Sequence, residues 1–240
     1  MKILGLDSSG LVASVCLMDG DSLVSEYSVN HKKTHSQTLL PMLDEIVRMC
    51  EADLNEIDAI AIAAGPGSFT GLRIGSATVK GLAYALNKPV VSVPTTAGLA
   101  ANLFNTEGLI CPIMDARRSQ VYTGTYRFED GKLVTLKDQR AMSIEDLIAE
   151  LDETGETVTF LGDGVAVYKN VIEEKLKTKH FYAPAHLSRQ RAGAVAFLGM
   201  QLFAEGKYED GKDHTPVYLR LSQAERERME QEKKNADTKA

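Results

Sequence analysis

Short apolar runs broken by Asp, Gly and Ser set the rhythm of the chain. Residues 2–6 form one such run, and Asp7-Ser8-Ser9-Gly10 after it has the composition of a turn. Residues 11–18 are apolar at both parities, the pattern of a strand buried on both faces. Asp19-Gly20-Asp21 marks a hairpin, and 23–27 reads as a third strand. A helical period takes over at 36–52. There Leu39, Leu40, Met42, Leu43, Ile46, Val47, Met49 and Cys50 spread over about half of the circumference. Pro41 falls in the first turns, where a missing N–H is tolerated. Two arrangements would cover so wide an arc: a sheet and a second helix of the same chain, or a partner chain.

Residues 57–63 read as a buried strand that runs into Gly65-Pro66-Gly67-Ser68-Phe69-Thr70-Gly71 and a helix over 72–86. Lys88-Pro89 ends that helix, 90–93 form another buried strand, and Pro94-Thr95-Thr96 leads into a helix over 97–104. The order β-β-β-α-β-α-β-α is one α/β module with a mixed sheet. The second half repeats it more faintly. Strands at 109–114 and 120–128 precede a turn at Glu129-Asp130-Gly131-Lys132 and then Leu133-Val134. A helix follows at 143–151 with Ser143 as N-cap, then a strand at 157–161, a helix from Gly164 to about residue 176, and a last helix at 193–205. Asp7 and Asp115 close the matching strands, about 108 positions apart. The pattern therefore predicts two modules, 1–106 and 107–222. The remaining stretch, 223–240, holds five acids, five bases and Met229 as its one large apolar residue, and reads as a solvated tail.

Composition narrows the class without naming a function. The 240 residues suffice for both modules, with 44% hydrophobic and 25% charged residues, as in ordinary globular chains. Net charge is −6 with a pI near 5.5, and the tail is neutral, so the negative charge belongs to the body. Such a chain is not built to coat a polyanion, and leaves most phosphate contacts to other molecules. Three cysteines, 16, 50 and 111, are too few and too odd a count for a disulfide scaffold and suit a reducing compartment. No apolar run is long enough to span a bilayer, and the first residues enter a strand rather than a signal peptide. The expected location is the cytoplasm.

Two turns carry candidate chemistry. Asp7, Ser8 and Ser9 sit between strands, where amides and a carboxylate can meet a phosphate and its metal ion. Gly65, Gly67, Ser68, Thr70, Gly71 and Arg73 surround a helix N-terminus, whose orphan amides and dipole favour an anion. The loop lacks the lysine of a Walker motif and the spacing of a dinucleotide fingerprint, and its glycines also suit a tight turn and close helix packing. Asp115 is the matching carboxylate of the second module. His31 and His35 are four apart but precede the helix, with no acidic base between them, so they make a poor metal pair. The basic pairs Lys32-Lys33, Arg117-Arg118 and Arg189 with Arg191, and the run Lys175, Lys177, Lys179, His180, read individually as solvated surface.

Gly65-Pro66-Gly67-Ser68-Phe69-Thr70-Gly71-Leu72-Arg73-Ile74-Gly75 resembles a highly specific motif. With Ile3-Leu4-Gly5-Leu6-Asp7-Ser8-Ser9, His35-Ser36-Gln37, Leu40-Pro41 and Pro216-Val217-Tyr218-Leu219-Arg220, it makes about 1–220 similar to the bacterial TsaB (YeaZ) family. The resemblance implies the duplicated actin/Hsp70/sugar-kinase (ribonuclease H-like) α/β fold. It also implies a part in making threonylcarbamoyladenosine at position 37 of tRNAs that read codons starting with A.

Within that resemblance the family is the non-catalytic partner of a larger TsaD-type paralogue, which transfers the threonylcarbamoyl group and works with a TsaE-type ATPase. The paralogue's metal-binding His-x-x-x-His pair aligns with Thr95 and Leu99 here, and its Asp with Gln190, so neither metal nor catalysis is expected of this chain. No cofactor is expected beyond ATP or ADP at a complex interface, and tRNA contact is expected to be indirect. The resemblance further implies a four-helix contact with the paralogue, or a homodimer when alone. Leu39, Leu40, Met42, Leu43, Ile46, Val47 and Cys50 of one helix and Leu72, Gly75, Ser76 and Val79 of the next are its expected residues. Gly71, Gly75 and Val79 form a small-residue stripe suited to close helix approach. Two other readings stay open, a stand-alone phosphotransferase or ATPase using Asp7, Asp115 and the glycine loop, and a metallopeptidase.

Overall fold

A computed structural model describes residues 1–31 and 33–220; Lys32 and the expected tail at 223–240 lie outside the described residues. Two five-stranded mixed sheets form the frame. In the first, β1 (Lys2–Asp7), β2 (Ala13–Asp19) and β3 (Ser22–Val29) make an antiparallel meander, and β4 (Ala59–Gly65) and β5 (Val90–Pro94) join it in parallel, in the order β3-β2-β1-β4-β5. The connecting helices are α1 (His35–Met49) and α2 (Phe69–Leu86), with α3 (Thr95–Ala101) after β5.

The second sheet repeats the plan. β6 (Leu109–Asp115), β7 (Gln120–Glu129) and β8 (Lys132–Ser143) form its meander, while β9 (Val158–Leu161) and β10 (His180–Tyr182) are parallel to β6, in the order β10-β9-β6-β7-β8. Helices α4 (Ile144–Thr154) and α5 (Gly164–Lys175) flank it, and α6 (Ala192–Ala204) follows. Ser143 caps α4 as expected, its hydroxyl accepting the amide of Asp146 at 3.0 Å.

Alternation along the strands explains the layering. In β1, Leu4 and Leu6 face a core shared with Leu39, Leu43 and Ile46 of α1 and Val79 of α2. Ile3, of opposite parity, packs with α3, α6 and the inner face of the second sheet, including Ile110, Tyr126 and Leu161. A third core lies on the far face of the second sheet, between Val121, Phe160 and the α4–α5 pair. The layers therefore run α1/α2, first sheet, α3/α6, second sheet, α4/α5.

Three expectations change. Helix α6 lies in the second half of the sequence yet packs on β1, β2, β4 and β5, so the first module in space includes a helix from beyond residue 106. Its apolar residues all round suit a helix held between two sheets. The strand foreseen only at Leu133-Val134 extends over twelve residues as β8, and β10 takes in His180 from the expected basic run. Beyond α6 the chain runs back along the first sheet. Glu209 bridges Val90, and the amide of Val217 donates to Ala64 O at 2.7 Å. No helix among the described residues is long and apolar enough to cross a membrane.

Candidate functional site

The two candidate phosphate turns close on each other. The β1–β2 turn rests directly on the glycine loop between β4 and α2, with the amide of Ser68 donating to Ser9 O at 2.7 Å. The Ser8 hydroxyl donates to Gly71 O at 2.9 Å. A Cβ at Gly67 would collide with Ser9 O, one at Gly71 with Ser8 O, and one at Gly75 with the Ser8 hydroxyl, all well inside the 3.0 Å limit of real Cβ contacts. The expected small-residue stripe of α2 is therefore a seat for the chain's own turn, and Val79 lies in the core at 0% exposure. At the helix start, the Ser68 hydroxyl accepts the amide of Gly71 at 3.3 Å, satisfying one of the donors an anion would use. Thr70 and Arg73 remain exposed beside it.

Asp7 is buried beneath this contact, and one of its carboxylate oxygens accepts both the amide of Ser9 at 2.8 Å and its hydroxyl at 2.6 Å. Desolvation raises its pKa to about 6, and the two Ser9 hydrogen bonds only partly offset that rise. The carboxyl thus braces its own turn. The sign of the linkage follows from the raised value. Below about pH 4 the group is protonated in both states, whereas between pH 4 and 6 only the unfolded chain ionises, so stability falls as pH rises through that window. Urea titrations of wild type and Asp7→Asn are expected to diverge by about 3 kcal/mol in favour of the variant between pH 4 and pH 8. A difference independent of pH would contradict this protonation state.

Asp115 occupies the matching end of β6 but is exposed. One oxygen accepts the Arg117 amide at 2.8 Å and the Tyr168 hydroxyl at 3.1 Å. Asp7 and Asp115 thus have different surroundings and different partners. His35, set beside His31 in the sequence, lies with its Nε2 2.9 Å from Gly10 O, at the back of the same turn; His31 is exposed.

The outer surface of the α1–α2 pair carries apolar positions among charged ones such as Asp44 and Arg48, although not mainly through the residues the pattern suggested. Leu39, Met42, Leu43, Ile46, Leu72, Gly75, Ser76 and Val79 are buried in this chain's own core. Periodicity marked the apolar arc but not which edge of it the sheet would take. Of the expected set, Leu40 is 53% exposed and Val47 and Cys50 are half-buried. Tyr84 at 92%, with Ala77 and Gly81, continues an exposed row along α2.

Comparison with known proteins places this arrangement. A family model described as "TsaD: tRNA N6-adenosine threonylcarbamoyltransferase" matches residues 23–228. The tRNA threonylcarbamoyladenosine biosynthesis protein TsaB of Bacillus subtilis is 36% identical over 97% of this chain and 100% of its own length. The chain belongs to the TsaB family. YeaZ from Pseudomonas aeruginosa has the same fold, with a TM-score of 0.78 and 27% identity over 91% of this chain and 99% of that one. An inorganic polyphosphate/ATP-glucomannokinase from Arthrobacter shares the fold alone, at a TM-score of 0.50 and 12% identity over 85% of this chain and 99% of that one. A Legionella pneumophila tRNA N6-adenosine threonylcarbamoyltransferase is 25% identical over 85% of this chain and 66% of its own length.

The positions that the sequence resemblance sets against the paralogue's expected metal ligands are Thr95, Leu99 and Gln190. Thr95 is fully buried, and its hydroxyl accepts the amide of Gly65 at 3.1 Å, tying the start of α3 to the glycine loop. Leu99 is 1% exposed within the central core and has no donor atom. Gln190 is buried against Gly10, and its side-chain nitrogen has no hydrogen-bond partner. A hydroxyl already engaged, an isobutyl group and an amide do not fit a metal of the His-His-Asp kind. Sequence reasoning missed the stacked pair Phe69 and Tyr218, with ring centroids 4.1 Å apart. Both lay in quoted motifs, and only the return of the C-terminal segment brings them together.

Proposed function

We propose that this TsaB-family chain is a non-catalytic subunit in threonylcarbamoyladenosine formation at position 37 of tRNAs reading codons that begin with A. It pairs with a TsaD-type paralogue, holds that paralogue in its active form, and helps to seat a TsaE-type ATPase. The observation that carries this reading is the filling of the transferase-like metal position by Thr95 and Leu99, both in the packed core. The closed contact between the β1–β2 turn and the glycine loop supports it, because the amides of Ser68 and Gly71 are already engaged there rather than free to meet an anion. The exposed row of Leu40, Ala77 and Tyr84, with the half-buried Val47 beside it, supplies a surface for the paralogue, or for a second copy of this chain when the paralogue is absent. The chain needs no cofactor of its own, and ATP or ADP enters only at the complex interface.

Reconstitution tests the reading directly. Modification of a tRNA transcript, followed as incorporation of labelled threonine, is expected to require this chain together with the paralogue and the ATPase. The chain alone is expected to give no product. Full modification without it, or turnover by it alone, would remove the proposal.

A further inference from the structure

The arginines of this acidic chain are unevenly partnered. Arg48, Arg127, Arg140 and Arg191 each meet a glutamate. Among the described residues Arg73, Arg117, Arg118, Arg189 and Arg220 have no ion pair, and all of these but Arg189 lie along a single path. Arg73 on α2 places its guanidinium 4.5 Å over the ring of Phe69, which stacks on Tyr218. Two residues on, Arg220 donates to Ala116 O at 2.6 Å, across to the β6–β7 turn of the second module. Arg117 and Arg118 follow in that turn, both exposed, with φ of 61° and 55°. The neighbouring Asp115 carboxylate is engaged by the Arg117 amide and the Tyr168 hydroxyl.

We propose that this row, Arg73, Arg220, Arg117 and Arg118 with the Phe69–Tyr218 stack among them, is a direct contact for the phosphodiester backbone of RNA. The choice of RNA rests on the tRNA-modification reading above. The geometry supplies the rest. The cations are strung along an extended segment and across two modules, as successive phosphates require, rather than gathered around one closed pocket. A guanidinium stacked on an aromatic ring is already ordered and presents a planar fork to phosphate oxygens. Tyr218, 38% exposed, offers a ring face on which an unpaired base can stack. Net charge conceals the feature, because −6 is a sum over the whole chain and does not report where the cations are placed.

The test uses the full-length chain, an unmodified tRNA transcript, and fluorescence anisotropy between about 50 and about 200 mM salt. R117Q/R118Q and R73Q/R220Q are each expected to weaken binding about tenfold and to flatten the salt slope by about one unit per arginine that meets a phosphate. R117K/R118K is expected to keep most of the affinity, which separates lost charge from a disturbed turn. Two results would overturn the assignment: wild type that fails to bind, or affinity unchanged in both Gln variants. A parallel titration with ATP covers the other anion, and variants that lose ATP while keeping tRNA would also overturn it. Co-purification with the paralogue is read separately on R117Q/R118Q, so failure of the subunit proposal and failure of the RNA contact appear in different measurements.

Discussion

Replacing Gly71 by alanine is expected to destabilise the chain by about 3 kcal/mol, seen as a fall in Tm of about 6–12 °C. Ordinarily this change in a helix is favourable by up to about 1 kcal/mol, since alanine loses less backbone freedom than glycine. Here the added methyl would meet the carbonyl oxygen of Ser8, an atom fixed by β1 on one side and by the Ser9–Ser68 hydrogen bond on the other. The His35 ring, 3.2 Å from the same point, closes a second direction of escape. Steric cost therefore exceeds propensity gain. Gly81, ten residues along the same helix, is the internal control, because nothing lies within 4 Å of its added Cβ. Gly81→Ala is expected to raise stability by about 0.5–1 kcal/mol. Opposite signs in chemical denaturation would show that the glycines of the loop serve backbone contact. A neutral Gly71→Ala would mean that the turn does not rest on the loop and that the phosphate cradle is open.

Much of the frame is legible in the chain because each strand end has its own punctuation. Asp7-Ser8-Ser9-Gly10, Asp19-Gly20-Asp21 and Lys88-Pro89 mark three boundaries through turn chemistry, and each falls within a few residues of an observed one. The duplication is visible for the same reason, with Asp7 and Asp115 ending equivalent strands. What stays hidden is tertiary. Strand β8 is an edge strand whose exposed positions Lys137 and Asp138 carry no alternation, so only its first apolar pair announces it. Helix α6 is apolar on every side, and no local pattern says that it returns to the first sheet. The site shows the same limit. The sequence singled out the glycine loop and the aspartate turn, but not that one fills the other, because that depends on the backbone of one turn coming close to the glycines of the other.

The last prediction turns on two adjacent leucines. Leu39 and Leu40 belong to one apolar arc, and the sequence gives no means of ranking them, yet their exposures are 2% and 53%. Leu39→Arg places an unpaired charge among Leu43, Ile46 and the first sheet, at a cost of several kcal/mol, and is expected to yield little folded protein. Leu40→Arg leaves the isolated chain within about 0.5 kcal/mol of wild type, because its guanidinium stays in water. If the α1–α2 face docks the paralogue, the same guanidinium becomes a buried, unpaired charge in the complex, at a cost of about 3 kcal/mol or roughly a hundredfold in affinity. Size-exclusion and co-purification of Leu40→Arg with the paralogue, alongside its melting curve, read the two states separately. Normal melting with lost association places the partner on the outer row of Leu40, Val47, Ala77 and Tyr84. Retained association with normal melting moves the partner elsewhere, since no protein interface that buries this row could accept the charge without loss.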